Sequence, residues 1–151
     1  MKFSAGLLVY RVRNGNLEVF LIHPGGPFWD NKDAGAWSIP KGEPDDEEES
    51  LQAARREFLE ETGFDAPGPF SKLNPVKQSA QKTVEAWAME ADYDPLKFKS
   101  NTFEMEWPPK SGQIQSFPEA DKAEWFTIKE AREKILKGQL PLLDQLEELL
   151  K

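Results

Sequence analysis

The chain of 151 residues has no cysteine and a single histidine, His23. The first absence excludes disulfides, zinc–thiolate sites and a cysteine nucleophile, and the second excludes multi-histidine metal sites. Positive charge is also scarce, with 19 Lys and Arg against 27 Asp and Glu, for a net charge of −8. That balance argues against a bulk electrostatic grip on nucleic acid or on an anionic membrane. A phosphate-rich ligand would need another source of attraction, and a bound divalent cation is one. No apolar run is long enough to span a bilayer, and Tyr10, Arg11 and Arg13 interrupt the first apolar segment too early for a signal peptide. The expected compartment is therefore the cytoplasm. Internal repeats and low-complexity linkers are absent as well.

What remains is an ordinary globular composition, 38% apolar and 30% charged, in a length that suits one domain over residues 1–151. Two β-type runs, SAGLLVYRV and LEVFLIH, flank Asn14-Gly15 and predict a hairpin. HPGGPFWDNKDAGAW reads as a long loop, followed by an extended piece, Trp37-Ser38-Ile39-Pro40, that ends at a Lys41-Gly42 turn. PDDEEESLQAARREFLEETG predicts a helix, with Asp46 as its cap, Glu49 in the reciprocal capping-box position and Gly63 as its stop. Strands are expected near 72–78, 83–91 and 101–107, a loop over WPPKSGQIQSFPEADK, and a short strand at Glu124-Trp125-Phe126. Thr127 with Glu130 forms a second capping-box pattern, for a helix ending near Gly138, and Pro141 opens a final amphipathic helix. Strands and helices in this mixed order indicate a layered α/β or α+β domain.

The chemistry concentrates in RREFLEETGF. At about 100° per residue, Leu51, Ala54 and Phe58 share one arc of the helix, and Glu57, Glu60 and Glu61 share the next. Carboxylates on the border of a buried face need partners, and hard divalent cations take oxygen ligands of this kind. A solvated acidic face would account for the same spacing.

The longer stretch GEPDDEEESLQAARREFLEETGF resembles the Nudix box, G-x5-E-x7-R-E-U-x-E-E-x-G-U, where U is a bulky apolar residue. Gly42, Glu48, Arg56, Glu57, Glu60, Glu61 and Gly63 occupy the fixed positions, and Phe58 and Phe64 the apolar ones. The resemblance implies an α/β/α sandwich with a mixed central sheet. It implies a Mg²⁺- or Mn²⁺-dependent pyrophosphohydrolase that cleaves a nucleoside diphosphate linked to another moiety. It carries metal ligation onto Glu57, Glu60, Glu61 and the carbonyl of Gly42, and orientation of the glutamates onto Arg56. Glu48 would support the loop or the metal shell. The general base stays open among Glu57, Glu104, Glu106 and Glu119. Glu104 and Glu106 alternate with Phe103, Met105 and Trp107 and face either a cleft or solvent.

WSIPKGE resembles the W-x-x-P-K-G-H segment of diadenosine polyphosphate hydrolases, with Glu43 in place of the His. It makes Trp37 and Lys41 candidate substrate contacts, Lys41 for phosphate. Trp87 is a candidate to stack a base or a core residue, and Trp29 with Phe28 form a base-binding lid or a simple loop anchor. His23 is a substrate contact or a structural residue. Ser79-Ala80 stand where the ADP-ribose branch carries a proline. The stretches TFEMEWPPKSG and FPEADKAEWFT resemble a bacterial subgroup of predicted NTP pyrophosphohydrolases. The expected substrate is a dinucleoside polyphosphate or an NTP. RNA 5′ ends are a rival substrate, and a non-catalytic nucleotide sensor is a rival function. The expected assembly is a monomer or a homodimer. Three clustered glutamates without a cation repel one another. Saturating Mg²⁺ is therefore expected to raise the melting temperature at neutral pH, and an unchanged value across the titration counts against a metal cradle.

Overall fold

Residues 4–9 are buried without a break, as a strand covered on both faces requires. They lie in β1 (Lys2–Arg13), and the rest of the sheet assembles around that strand. The structure, a computed structural model, describes residues 2–151; Met1, the first residue of the expected domain, lies outside them. After β1 come β2 (Asn16–Pro24), β3 (Lys41–Gly42), α1 (Ser50–Thr62), β4 (Ser71–Lys72), β5 (Val76–Ser79) and β6 (Lys82–Glu90). Then follow β7 (Thr102–Glu106), β8 (Ile114–Pro118), β9 (Ala120–Thr127), α2 (Ile128–Lys134) and α3 (Leu140–Leu149). The seven-stranded sheet runs β4-β6-β1-β2-β9, with β3 joined to β1 and β5 to β6. It is mixed, because β1 and β6 run parallel while the other pairs are antiparallel.

The period-2 alternation of strand side chains sorts the core into two layers. Leu7, Val9, Phe20, Ile22, Trp87 and Met89 face Ala53, Ala54 and Phe58 of α1. Leu8, Val19, Leu21, Val84, Ala86 and Phe126 face Ala131 of α2 and Leu142, Leu143 and Leu146 of α3. This is the expected α/β/α sandwich.

Asn14 and Gly15 both take positive φ, 53° and 78°, and Arg13 pairs with Asn16. The turn is therefore the two-residue type that a twisted hairpin prefers. Thr127 and Glu130 close the expected capping box. Other expectations fail: the strand read near 72–78 is two short ones, β4 and β5, and α2 stops at Lys134, short of Gly138. The segment read as a loop after Trp107 holds β8, which pairs with β7 in a separate two-stranded sheet. Its two large apolar residues, Ile114 and Phe117, are three positions apart and so break the period-2 pattern of a strand, and Gly and Pro flank it.

The segment between β2 and β3 is tied to the sheet at Ile22, which exchanges backbone hydrogen bonds with Ser38. Gln139, fully buried, holds it from the other side. Its Oε1 accepts the Ile39 N–H at 3.1 Å, and its Nε2 donates to Ser38 Oγ at 3.0 Å and Gln78 Oε1 at 2.9 Å. Gln139→Leu leaves the Ile39 N–H without that partner. It is expected to cost about 1–3 kcal/mol, read as a lower urea midpoint at unchanged m-value.

Candidate active site

The site begins with Arg56, halfway along α1. Its Nε and Nη2 grip both oxygens of Glu48 at 2.9 and 3.0 Å, and Nη2 also reaches the Glu43 carbonyl at 3.2 Å. Its Nη1 donates to Glu57 Oε1 at 2.9 Å and to Glu60 Oε2 at 3.1 Å. The two-pronged grip on Glu48 explains why the helix is shorter than its acidic leader predicts. Glu48 is pulled onto the guanidinium, Glu47 turns into the left-handed region at φ 65°, and α1 starts only at Ser50. The expected Asp46 cap with Glu49 as reciprocal partner does not form; Glu49 is the cap residue and makes no side-chain cap bond. These partners hold the Arg56 guanidinium even more firmly charged than usual, Glu48 contributing most.

The exit of α1 positions the other half. A helix ends with carbonyls that have no partner within it. Here Lys99 N donates to Thr62 O at 2.9 Å and Asn101 N to Glu60 O at 2.7 Å. Asn101 O in turn accepts the Glu119 N–H at 2.8 Å, and Ser100 Oγ accepts Ala120 N–H at 3.0 Å. This ladder delivers Glu119, just before β9, to the side of α1 that carries Glu57 and Glu61. Oxygens of Glu57, Glu61 and Glu119 lie within 4.8 Å of one another. Gly42 closes the back of the group. A Cβ there would stand 2.0 Å from the Glu57 carboxyl carbon, so only glycine lets the β3 backbone approach so closely.

These carboxylates are held at a cost. Burial, reinforced by Glu57, pushes the Glu61 carboxyl up to about 9, despite the Lys41 backbone N–H and ammonium. Glu61 Oε2 is buried with no hydrogen-bond partner. Burial also raises Glu57, opposed by Arg56, and raises Glu119, helped by Glu60. Converging oxygens, one of them orphaned, are the donor set a hard divalent cation fits, so Glu57, Glu61 and Glu119 could hold one.

The group opens onto a cleft of roughly 290 Å³, lined among others by Glu61, Glu119, Lys41, Lys82, Trp29 and Gln78. Neither lysine has an ion-pair partner among the described residues. Burial, then Lys82, lowers the Lys41 ammonium from its ordinary range.

Of the residues expected from sequence, Arg56, Glu57, Glu61, Gly42, Lys41 and Trp29 gather at this site. Others are corrected. Glu60 is outside the group of three converging carboxylates and accepts from Arg56 Nη1. Glu104 and Glu106 lie on the exposed face of the β7–β8 hairpin, outside the cleft lining, and Glu106 accepts from Lys110 N at 2.8 Å and Gly112 N at 3.2 Å in its own turn. Neither lines the cleft at the glutamate cluster. Trp37 and Trp87 are 3% and 7% exposed and belong to the two core layers, so neither can stack on a substrate as the side chains stand. His23, 1% exposed, contacts no open space. Sequence reading missed Lys82, an isolated lysine at a strand start, and treated Glu119 only as a possible base. No local pattern marks either.

A NUDIX domain profile matches residues 2–146. No curated protein sequence matches the chain significantly. Among solved structures, a C. elegans Ap4A hydrolase binary complex superposes with a TM-score of 0.68 at 22% identity, covering 99% of this chain and 98% of that one. The NUDIX domain of Shewanella oneidensis NrtR complexed with ADP ribose gives 0.69 at 17% identity, covering 100% and 89%. A mutT/nudix family protein from Listeria innocua gives 0.64 at 19%, covering 99% and 93%. At these identities the superpositions report the fold; the profile, spanning nearly the whole chain, reports the family. With the Arg56-centred glutamate cluster already in view, the chain belongs to the NUDIX family, a family of hydrolases acting on phosphoric anhydrides.

Proposed function

We propose that this protein hydrolyses the phosphoric anhydride of a nucleoside polyphosphate, a dinucleoside polyphosphate or an NTP, with Mg²⁺ or Mn²⁺ held by Glu57, Glu61 and Glu119. The observation that carries the reading is the convergence of those three carboxylates, one oxygen orphaned, at the wall of a cleft that also holds two lysines. A cation bound there supplies charge neutralisation at the phosphate oxygens and an acidified water.

The remaining work falls to side chains. Lys41 and Lys82, which line the same cleft, attract and orient the phosphate chain, supplying the positive charge that the −8 of the whole chain does not. Trp29, half-buried in the cleft wall, offers a ring for a base to stack on. Arg56 holds the Glu57 carboxylate in place through Oε1. Glu119, exposed at the mouth with a carboxyl raised by burial and by Glu60, takes the proton from water. The cytoplasm, where nucleotides and Mg²⁺ are both abundant, is the matching compartment.

The direct test incubates the protein and Mg²⁺ with dinucleoside polyphosphates, NTPs, ADP-ribose and 5′-triphosphorylated RNA, and identifies the products. Turnover of the first two classes is expected. Turnover of RNA alone would move the assignment to 5′-end processing, and nucleotide binding without turnover of any member would make the protein a sensor. Glu119→Gln is expected to lower kcat by about 10²–10⁴-fold. Retention of full activity would remove Glu119 from the proton transfer.

A second test reads the metal site without turnover. In the cation-free protein Glu61 keeps its proton to about pH 9, whereas an unfolded glutamate loses it near 4.5. Between those values unfolding releases a proton, so stability is present below about pH 4.5 and declines as pH rises toward 9. The melting temperature in EDTA is therefore expected to fall between pH 6 and pH 9, and the fall to flatten in Glu61→Gln. A cation displaces that proton, so Mg²⁺ should stabilise more at pH 8 than at pH 6. Equal shifts at both values would argue that the cation binds elsewhere.

A further inference from the structure

His23 ends the antiparallel run of β2 against β9 at an irregularity. His23 pairs with Lys122, but the next residue, Pro24, pairs with Ala120, so Asp121 is an extra residue on β9. A bulge of this kind re-aims a side chain. Here it brings Asp121 Oδ1 to 2.8 Å from His23 Nδ1. The other ring nitrogen, Nε2, lies 2.5 Å from the carbonyl oxygen of Lys32, a group that can only accept, so Nε2 carries hydrogen. The ring edge packs on Trp37, with centroids 5.2 Å apart, and the side chain is almost fully buried.

What this clamp holds is the turn that carries Trp29. Lys32 N donates to Trp29 O at 3.0 Å, and the Lys32 ammonium sits over the Trp29 ring, 5.2 Å from its centroid. One residue thus has its carbonyl fixed by His23 and its other two contacts on Trp29. On the opposite side, Asp121 is two residues from Glu119, whose carbonyl accepts the Gly25 N–H at 2.9 Å, where the same loop begins. Between those anchors the described backbone hydrogen bonds stay within the loop, such as Trp29 N to Gly26 O at 3.3 Å, and the Phe28 ring meets Trp107 edge-on at 6.1 Å.

We propose that His23 is a positioning residue for substrate. It locks the Trp29–Lys32 turn to the Asp121 bulge and so sets the stacking ring of the cleft at a fixed place relative to Glu119. The inference rests on the hydrolase reading above and on Trp29 as the wall against which a base stacks.

The test uses the best nucleotide substrate of the full-length protein. An Asn amide takes the place of Nδ1 and a Gln amide that of Nε2, so His23→Asn keeps the Asp121 end and His23→Gln keeps the Lys32 end. His23→Asn is expected to raise KM by about tenfold, the order expected from loss of one base–aromatic stack, with kcat within about threefold. Hydrogen exchange over residues 26–35 should quicken in the same variant, and His23→Gln should restore both readouts. Trp29→Ala should raise KM alike, and adding His23→Asn to it should raise KM no further, because the two act through one contact. Should His23→Asn not fold, Asp121→Ala releases the other end of the clamp and is read in its place with the same expectation. An unchanged KM, a KM rise that adds fully to that of Trp29→Ala, or a failure of His23→Gln to restore would overturn the proposal. Absence of turnover in the unaltered protein would instead sink the hydrolase reading, so the two failures are told apart.

Discussion

Arg56 is the counter-charge without which the acidic site could not be assembled. Four acidic side chains crowd one and a half turns of helix and the loop before it, and their mutual repulsion would spread them into solvent. A guanidinium can meet several carboxylates at once through a planar fork, which an ammonium cannot do. It binds Glu48 with two prongs and so folds the acidic leader back over the helix. A third prong draws Glu57 and Glu60 to one side. Glu61, the one box glutamate it does not touch, is left buried beside Lys41 with Oε2 unpartnered and its carboxyl pushed toward the neutral form. The arrangement is stable in its frame and unsatisfied at its centre, which is the condition a cation-binding site requires.

The rest of the fold supplies what a single helix cannot. The third carboxylate comes from residue 119, more than fifty positions beyond the box, and it arrives because the orphan carbonyls at the end of α1 recruit residues 99–101, which in turn hold Glu119 by its backbone. The lysines come from two further places, the short β3 and the first residue of β6. The cleft is thus framed by segments that meet only in three dimensions, while each is anchored by ordinary backbone pairing to the same sheet.

This division marks what could be read in advance. Local features were legible: the Asn14-Gly15 turn, the capping box at Thr127, the left-handed stop at Gly63 and the spacing of Glu57 and Glu61 all depend on neighbours within a few residues. Trp37 and Trp87 were not. Their burial depends on which face of a strand meets a helix far away in the chain, and aromatic residues in cores and in clefts look alike in sequence. Asp46 failed as a cap because a stronger partner, Arg56, reorganised the loop through Glu48, an interaction eight residues long that no capping rule contains. Glu104 and Glu106 alternated correctly, but only the partner β8 fixes which side of that alternation is wet. Glu119 needed the hydrogen-bond ladder, and Lys82 the cleft itself.

The parallel pairing of β1 with β6 also sets an order of assembly. Lys2 to Tyr10 align with Lys82 to Glu90, so the first strand made is completed on that edge only by a segment some eighty residues later. A contact of such sequence separation closes slowly, and until it closes the residues 4–9 that it buries have one open edge. During synthesis the N-terminal hairpin must wait, half covered, for more than half of the chain. The glutamate helix, made in between, can pack on β1 and β2, but the third carboxylate, Glu119, follows only after β6. The capacity to hold a cation therefore comes into being late, with the sheet.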